Sequence, residues 1–120
     1  MCTVLVIDDE RMIRWSMEQT LGAAGHTVVT AGTVAEGLDR LRDSRPDVVF
    51  LDVRLPDGDG LGMLERLQAE NGHPPAVIVM TAFDEGGVAE QALRLGARAY
   101  MKKPFDFAGL QDLVARALQP

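Results

Sequence analysis

Four short apolar runs rich in β-branched residues recur along the chain, TVLVI (3–7), TVVTA (27–31), DVVFL (47–51) and AVIVM (76–80), and a segment of helical period follows each. Parallel strands need a crossover long enough to hold a helix, so this alternation reads as consecutive βα units. The runs are continuously apolar, not alternating, which is the pattern of strands covered on both faces and puts the sheet between two helix layers. A fifth run, ARAYM (97–101), precedes a last helical stretch with Leu110, Leu113, Val114 and Ala117 on one face. The first helix carries Ile13, Met17, Leu21 and Ala24 along one stripe. Gly25 and Gly96 stand where helix C-termini favour a left-handed residue. The expected fold is a doubly wound α/β domain with a five-stranded parallel sheet and five helices.

Composition bounds the number of domains and the partners. With 120 residues, 47% of them hydrophobic, the chain can bury the core of one domain, and residues 1–120 read as that single unit. A net charge of -6 argues against nucleic-acid binding by this segment, which would need clustered Lys and Arg. The single cysteine, Cys2, can form no internal disulfide, and no apolar run is long enough for a membrane span or a signal peptide. A cytoplasmic setting is expected. An amphipathic stretch runs almost to Pro120, as it would in a segment cut from a longer protein.

In an open α/β sheet the ligand cleft lies beyond the carboxyl ends of the strands. The residues that follow the runs are Asp8 and Asp9, then Asp52, then Thr81, then Lys103. In VLVIDDE (4–10) the acids could simply cap a following helix, or they could face the cleft. Three carboxylates, a hydroxyl and an ammonium, without a Ser–His pair or a second cysteine, exclude the usual nucleophilic triads and thiolate metal sites. Oxygen-rich ligation suits a hard cation such as Mg²⁺. A carboxylate placed beside a metal and an ammonium is equipped to attack phosphorus and become an aspartyl phosphate.

The motifs IDDE (7–10), LDVRLPDGDG (51–60), MTA (80–82) and YMKKPF (100–105), in this order over essentially the whole chain, resemble the receiver domain of two-component response regulators. The wording from Met80 to Asp106 is most similar to receivers of bacterial enhancer-binding activators of the nitrogen-regulation type. The resemblance implies a flavodoxin-like fold with strand order 2-1-3-4-5 and a phosphoryl group accepted on Asp52 from a sensor histidine kinase. It implies Mg²⁺ held by Asp9, Asp52 and the backbone carbonyl of Arg54, with Asp8 acting mainly through bound water. Thr81 and Lys103 would each bind a phosphoryl oxygen, Ala82 would leave room for the group, and Lys102 would face solvent. The resemblance further implies a cis Lys103–Pro104 bond, a loop shaped by Pro56 and Gly60, and an aromatic switch at Tyr100 coupled to Thr81. The output face would be helix 4, strand 5 and helix 5, a possible homodimer surface. Arg54 and Phe83 would border the approach of water to the phosphoryl group.

Two other classes compete with this reading. A phosphorylation-independent interaction module would not need the intact set of Asp8, Asp9, Asp52, Thr81 and Lys103. A haloacid-dehalogenase-like phosphatase would carry a second acid where this chain has Arg54. Asp57 and Asp59 read as turn acids, and His26 and His73 as solvated loop residues. Met63, Met80 and Met101 read as core filler. Gly86 and Gly87 should leave the start of helix 4 easy to unwind. Trp15 falls opposite Ile13, away from the core stripe, either as a contact residue or as an indole lying along polar neighbours.

Overall fold

The computed structural model describes residues 2–70, 74–82, 87–103 and 107–119. Strands β1 (Thr3–Ile7), β2 (Thr27–Ala31), β3 (Val48–Asp52), β6 (Ala76–Thr81) and β7 (Ala99–Lys102) form one parallel sheet in the order β2-β1-β3-β6-β7. A two-stranded antiparallel hairpin, β4 (Arg54–Leu55) with β5 (Gly58–Asp59), stands apart from it. Without the hairpin the order is the expected 2-1-3-4-5. The helices are α1 (Arg11–Ala23), α2 (Val34–Ser44), α3 (Gly60–Glu70), α4 (Val88–Arg94) and α5 (Leu110–Ala117), with a 3-10 turn at Phe107–Gly109.

Pleating divides the central strands between two cores. Leu5, Ile7, Val49, Leu51, Val77 and Val79 pack with residues of α2, α3 and α4, whereas Val4, Val6, Val48, Phe50, Ile78 and Met80 pack with residues of α1 and α5. Every residue of β3 is buried, which explains its unbroken apolar run. The edge strand β2 is only half-covered. Met63, Met80 and Met101 are buried, as expected of core filler. On α1, Met17 and Leu21 are buried and Ile13 is half-buried. Ala24, expected on the same stripe, is instead exposed, because the helix stops at Ala23 and Ala24 is its cap. Gly25 and Gly96 take positive φ as the sequence requires, 97° and 110°.

The β3–α3 connection depends on a close approach. The Gly60 amide donates to the Val53 carbonyl at 2.7 Å. A Cβ on Gly60 would collide with the Asp52 carbonyl oxygen and lie 2.8 Å from the Val53 Cα, so only glycine lets the chain fold back over the end of β3. The hairpin is thereby closed at its base, directly beside the last residue of the central strand.

Candidate functional site

Backbone pairing carries the functional side chains to one edge of the sheet. Asp52 is the last residue of β3 and Thr81 the last of β6, in adjacent parallel strands. The Lys103 amide donates to the Thr81 carbonyl at 2.8 Å, which continues the β6–β7 ladder and sets Lys103 beside Thr81. The Asp8 amide donates to the Ala31 carbonyl at 3.0 Å, and Asp8 Oδ1 then accepts from the Glu10 amide at 2.8 Å. Asp8 therefore does serve the turn into α1, but its other oxygen faces the site. Capping in the strict sense does not hold for the VLVIDDE acids, because Glu10 is the N-cap of α1 with no side-chain cap bond, and Asp8 bonds the amide just before the helix.

Among the described residues Asp8, Asp52 and Thr81 are the buried polar ones, at 0%, 6% and 4% exposure, while Asp9 is exposed. One carboxylate oxygen from each of Asp8, Asp9 and Asp52 lies within 4.8 Å of the others. The Lys103 ammonium stands 2.6 Å from Asp8 Oδ2 and 3.2 Å from Asp52 Oδ2. Beyond that ion pair, the fully buried Asp8 Oδ2 has no hydrogen bond among the described residues. An all-oxygen donor set with an under-bonded buried carboxylate oxygen fits a hard divalent cation. Arg54 donates its amide to Asp52 Oδ1 at 3.2 Å, placing its own peptide group next to this cluster. A cleft of about 160 Å³ opens over Asp9, Asp52, Arg54, Thr81, Ala82 and Lys103.

Electrostatics divides the groups. Burial raises the Asp52 carboxyl above its ordinary value and the Asp8 charge raises it further, against the opposing pull of Lys103 and of the Arg54 amide. Burial alone would lower the Lys103 ammonium. Its bond to Asp8 and the charges of Asp8 and Asp52 outweigh that effect, so its proton is held more tightly than in free lysine. The site is a set of repelling acids held together by one cation.

Asp9, Asp52, Arg54, Thr81, Ala82 and Lys103 thus line one cleft, with Asp8 buried beside it against Lys103. Lys102 is exposed, and Tyr100, on the edge strand, is 43% exposed. Phe83, Gly86, His73 and the Lys103–Pro104 bond lie outside the described residues. Two contributors were missed. Glu10 brings a further carboxylate to Lys103 at 3.2 Å, and Arg14 donates to the Asp8 carbonyl at 2.7 Å. Only the helical spacing from Glu10 to Arg14 hinted that α1 would return to this loop. Asp57 accepts from the Val34 and Ala35 amides at 2.7 and 3.1 Å, so it is more than a turn acid, whereas Asp59 keeps a local role by accepting from the Leu61 amide.

His26 corrects an expectation. It is half-buried and not a solvated loop residue. Its Nδ1 accepts from the Cys2 amide at 3.2 Å, and its Nε2 lies 2.6 Å from Gln111 Oε1 on α5. No metal-binding group of three includes it among the described residues.

Comparison with known proteins agrees with this geometry. The response regulator receiver domain family matches residues 4–115. The DNA-binding transcriptional regulator NtrC of Escherichia coli (strain K12) is 40% identical over 115 residues, covering 96% of this chain and 24% of NtrC. The regulatory protein AtoC of the same strain is 37% identical over 116 residues, covering 97% of this chain and 25% of AtoC. The chain therefore spans about a quarter of the length of these relatives. The crystal structure of the NtrX receiver domain from Brucella abortus superposes with a TM-score of 0.88 at 32% identity, covering 96% of this chain and 97% of that one. With the cleft, the strand order and these matches in agreement, the chain belongs to the response regulator receiver domain family.

Proposed function

We propose that the domain accepts a phosphoryl group on Asp52 from the phosphohistidine of a sensor kinase and acts as a switch, not as an enzyme with turnover on a separate substrate. The observation that carries this reading is that a nearly buried carboxylate, Asp52, shares a small open cleft with Asp9, Thr81 and Lys103, next to the buried Asp8. Asp9, Asp52 and the Arg54 carbonyl would hold Mg²⁺, with Asp8 acting through bound water. When bound, Mg²⁺ neutralises the carboxylates and the charge that develops on the phosphoryl oxygens. An Asp52 oxygen attacks phosphorus while the bond to the donor imidazole nitrogen breaks and the imidazole leaves with the electron pair. Lys103 and the Thr81 hydroxyl each hold a phosphoryl oxygen, and the small Ala82 leaves room for the group.

A switch needs two states that the phosphorylated cleft stabilises unequally. Thr81 ends β6 and Tyr100 lies in β7, the strand paired with it. Movement of Thr81 toward the phosphoryl group would let the outward Tyr100 turn in and alter the α4–β7–α5 face, through which the domain would dimerise or release an output domain. The similarity to NtrC and AtoC favours transcription activation as that output, in the cytoplasm, with DNA bound by another domain of the protein. Incubation with acetyl phosphate tests the chemistry. One phosphoryl group per chain is expected with Mg²⁺ and none in EDTA, and an unmodified chain under both conditions contradicts the reading.

A further inference from the structure

The hairpin of β4 and β5 carries the Arg54 peptide group, yet among the described residues it forms no backbone ladder with the main sheet. Its base is tied by the Gly60 amide to the Val53 carbonyl. Its tip is tied elsewhere. Asp57, in the turn, takes the Val34 amide on Oδ1 at 2.7 Å and the Ala35 amide on Oδ2 at 3.1 Å. These are the first two amides of α2, which have no partner within the helix. Thr33, the residue in the usual capping place, serves only the next two positions, with its hydroxyl accepting from Glu36 at 3.1 Å and its carbonyl from Gly37 at 2.9 Å. Gly58 seats the same turn on α2, where an added Cβ would stand 3.0 Å from Val34 Cγ2.

Helix α2 is itself fixed to the other side of the cleft. Gly37 lies so close to β1 that an added Cβ would meet Ile7 Cδ1 at 2.8 Å, and Ile7 precedes Asp8. The first turn of α2 thus joins the strand that delivers Asp8 to the hairpin that delivers Arg54. The two amide bonds also hold the Asp57 carboxyl below the ordinary carboxylate range.

We propose that Asp57 is a positioning residue for the cation site: by capping α2 from the hairpin turn it holds the Arg54 carbonyl at a fixed distance from Asp8, Asp9 and Asp52. This rests on reading the acidic cleft as an Mg²⁺ site. Losing an outer group that orients a metal ligand weakens metal binding.

The test is titration calorimetry of the 120-residue protein with Mg²⁺, in wild type, Asp57→Ala, Asp57→Asn and Thr33→Ala, alongside the melting temperature of each. Asp57→Ala should weaken Mg²⁺ binding roughly tenfold, and Asp57→Asn, which keeps one acceptor oxygen, should fall between it and wild type. Thr33→Ala removes a cap from the same helix end without touching the hairpin, so it should lower the melting temperature and leave Mg²⁺ affinity unchanged. Wild-type affinity in Asp57→Ala, or an equal loss in Thr33→Ala, overturns the positioning role alone. A wild type that binds no Mg²⁺ overturns the reading of the cleft and this proposal with it.

Discussion

The Lys103 ammonium lies closer to Asp8, at 2.6 Å from Oδ2, than to Asp52, at 3.2 Å. The cation that should later hold a phosphoryl oxygen thus rests mainly on a buried neighbour of the phosphoacceptor. Removing it leaves two buried carboxylates without their counter-charge. Lys103→Met should therefore destabilise the metal-free protein by about 3 kcal/mol near neutral pH, measured by urea unfolding in EDTA. The folded state holds the Lys103 proton above the ordinary lysine value of 10.5. Its contribution is fully present below that pH and lost as pH rises through the folded value, so wild type and mutant should converge in strong alkali. A mutant as stable as wild type at neutral pH would mean that the acids are not paired through Lys103.

Asp52 works in the opposite direction. Burial and the Asp8 charge raise its carboxyl, so the folded state binds more protons than the unfolded one between the ordinary carboxylate value and the folded value. Stability contributed by this group therefore falls as pH rises through that window. In EDTA at neutral pH, Asp52→Asn should be more stable than wild type by an amount of order 1 kcal/mol. Added Mg²⁺ should stabilise wild type more than the mutant. Thermal melts with and without Mg²⁺ decide this, and a mutant that melts well below wild type in EDTA would show that the carboxylates do not repel one another.

Tyr100 is exposed on the edge strand while Thr81 is buried at the end of the neighbouring one. Crystal structures with and without beryllofluoride, which stands in for the phosphoryl group, should show Tyr100 turned inward and α4 displaced in the activated form. An unchanged Tyr100 rotamer with an unmoved α4 would place the relay elsewhere.

Arg54 lines the cleft with an exposed side chain, two residues after Asp52. Its guanidinium can hold phosphoryl oxygens by paired hydrogen bonds and crowd the in-line path of water. Phosphorylated Arg54→Ala should lose its phosphoryl group several-fold faster than wild type, and so should Phe83→Ala if the ring shields the same path. Equal decay rates in all three proteins would remove gating from the account.

Local sequence carried the parts of this molecule that local physics decides. The apolar runs announced β1, β3 and β6, because a central strand must be covered on both faces whatever lies next to it. The acids, hydroxyl and ammonium after those runs could be placed in one cleft because parallel strands end on a common edge. The missed features are contacts whose partners lie far along the chain. His26 meets Gln111 across 85 positions and Asp57 meets Val34 across 23, and neither pairing has a periodic signature. Ala24 failed for a different reason, since helical spacing says which face a residue would share but not where the helix stops.

The central claim is that Asp52, and no other acid of the cleft, receives the phosphoryl group. Intact-mass analysis after acetyl phosphate and Mg²⁺, applied in parallel to wild type, Asp52→Asn, Asp8→Asn and Asp9→Asn, measures it most directly. The account predicts one phosphoryl group on wild type, none on Asp52→Asn, and slower modification of the other two, whose carboxylates support the cation without accepting the group. Undiminished labelling of Asp52→Asn would contradict it.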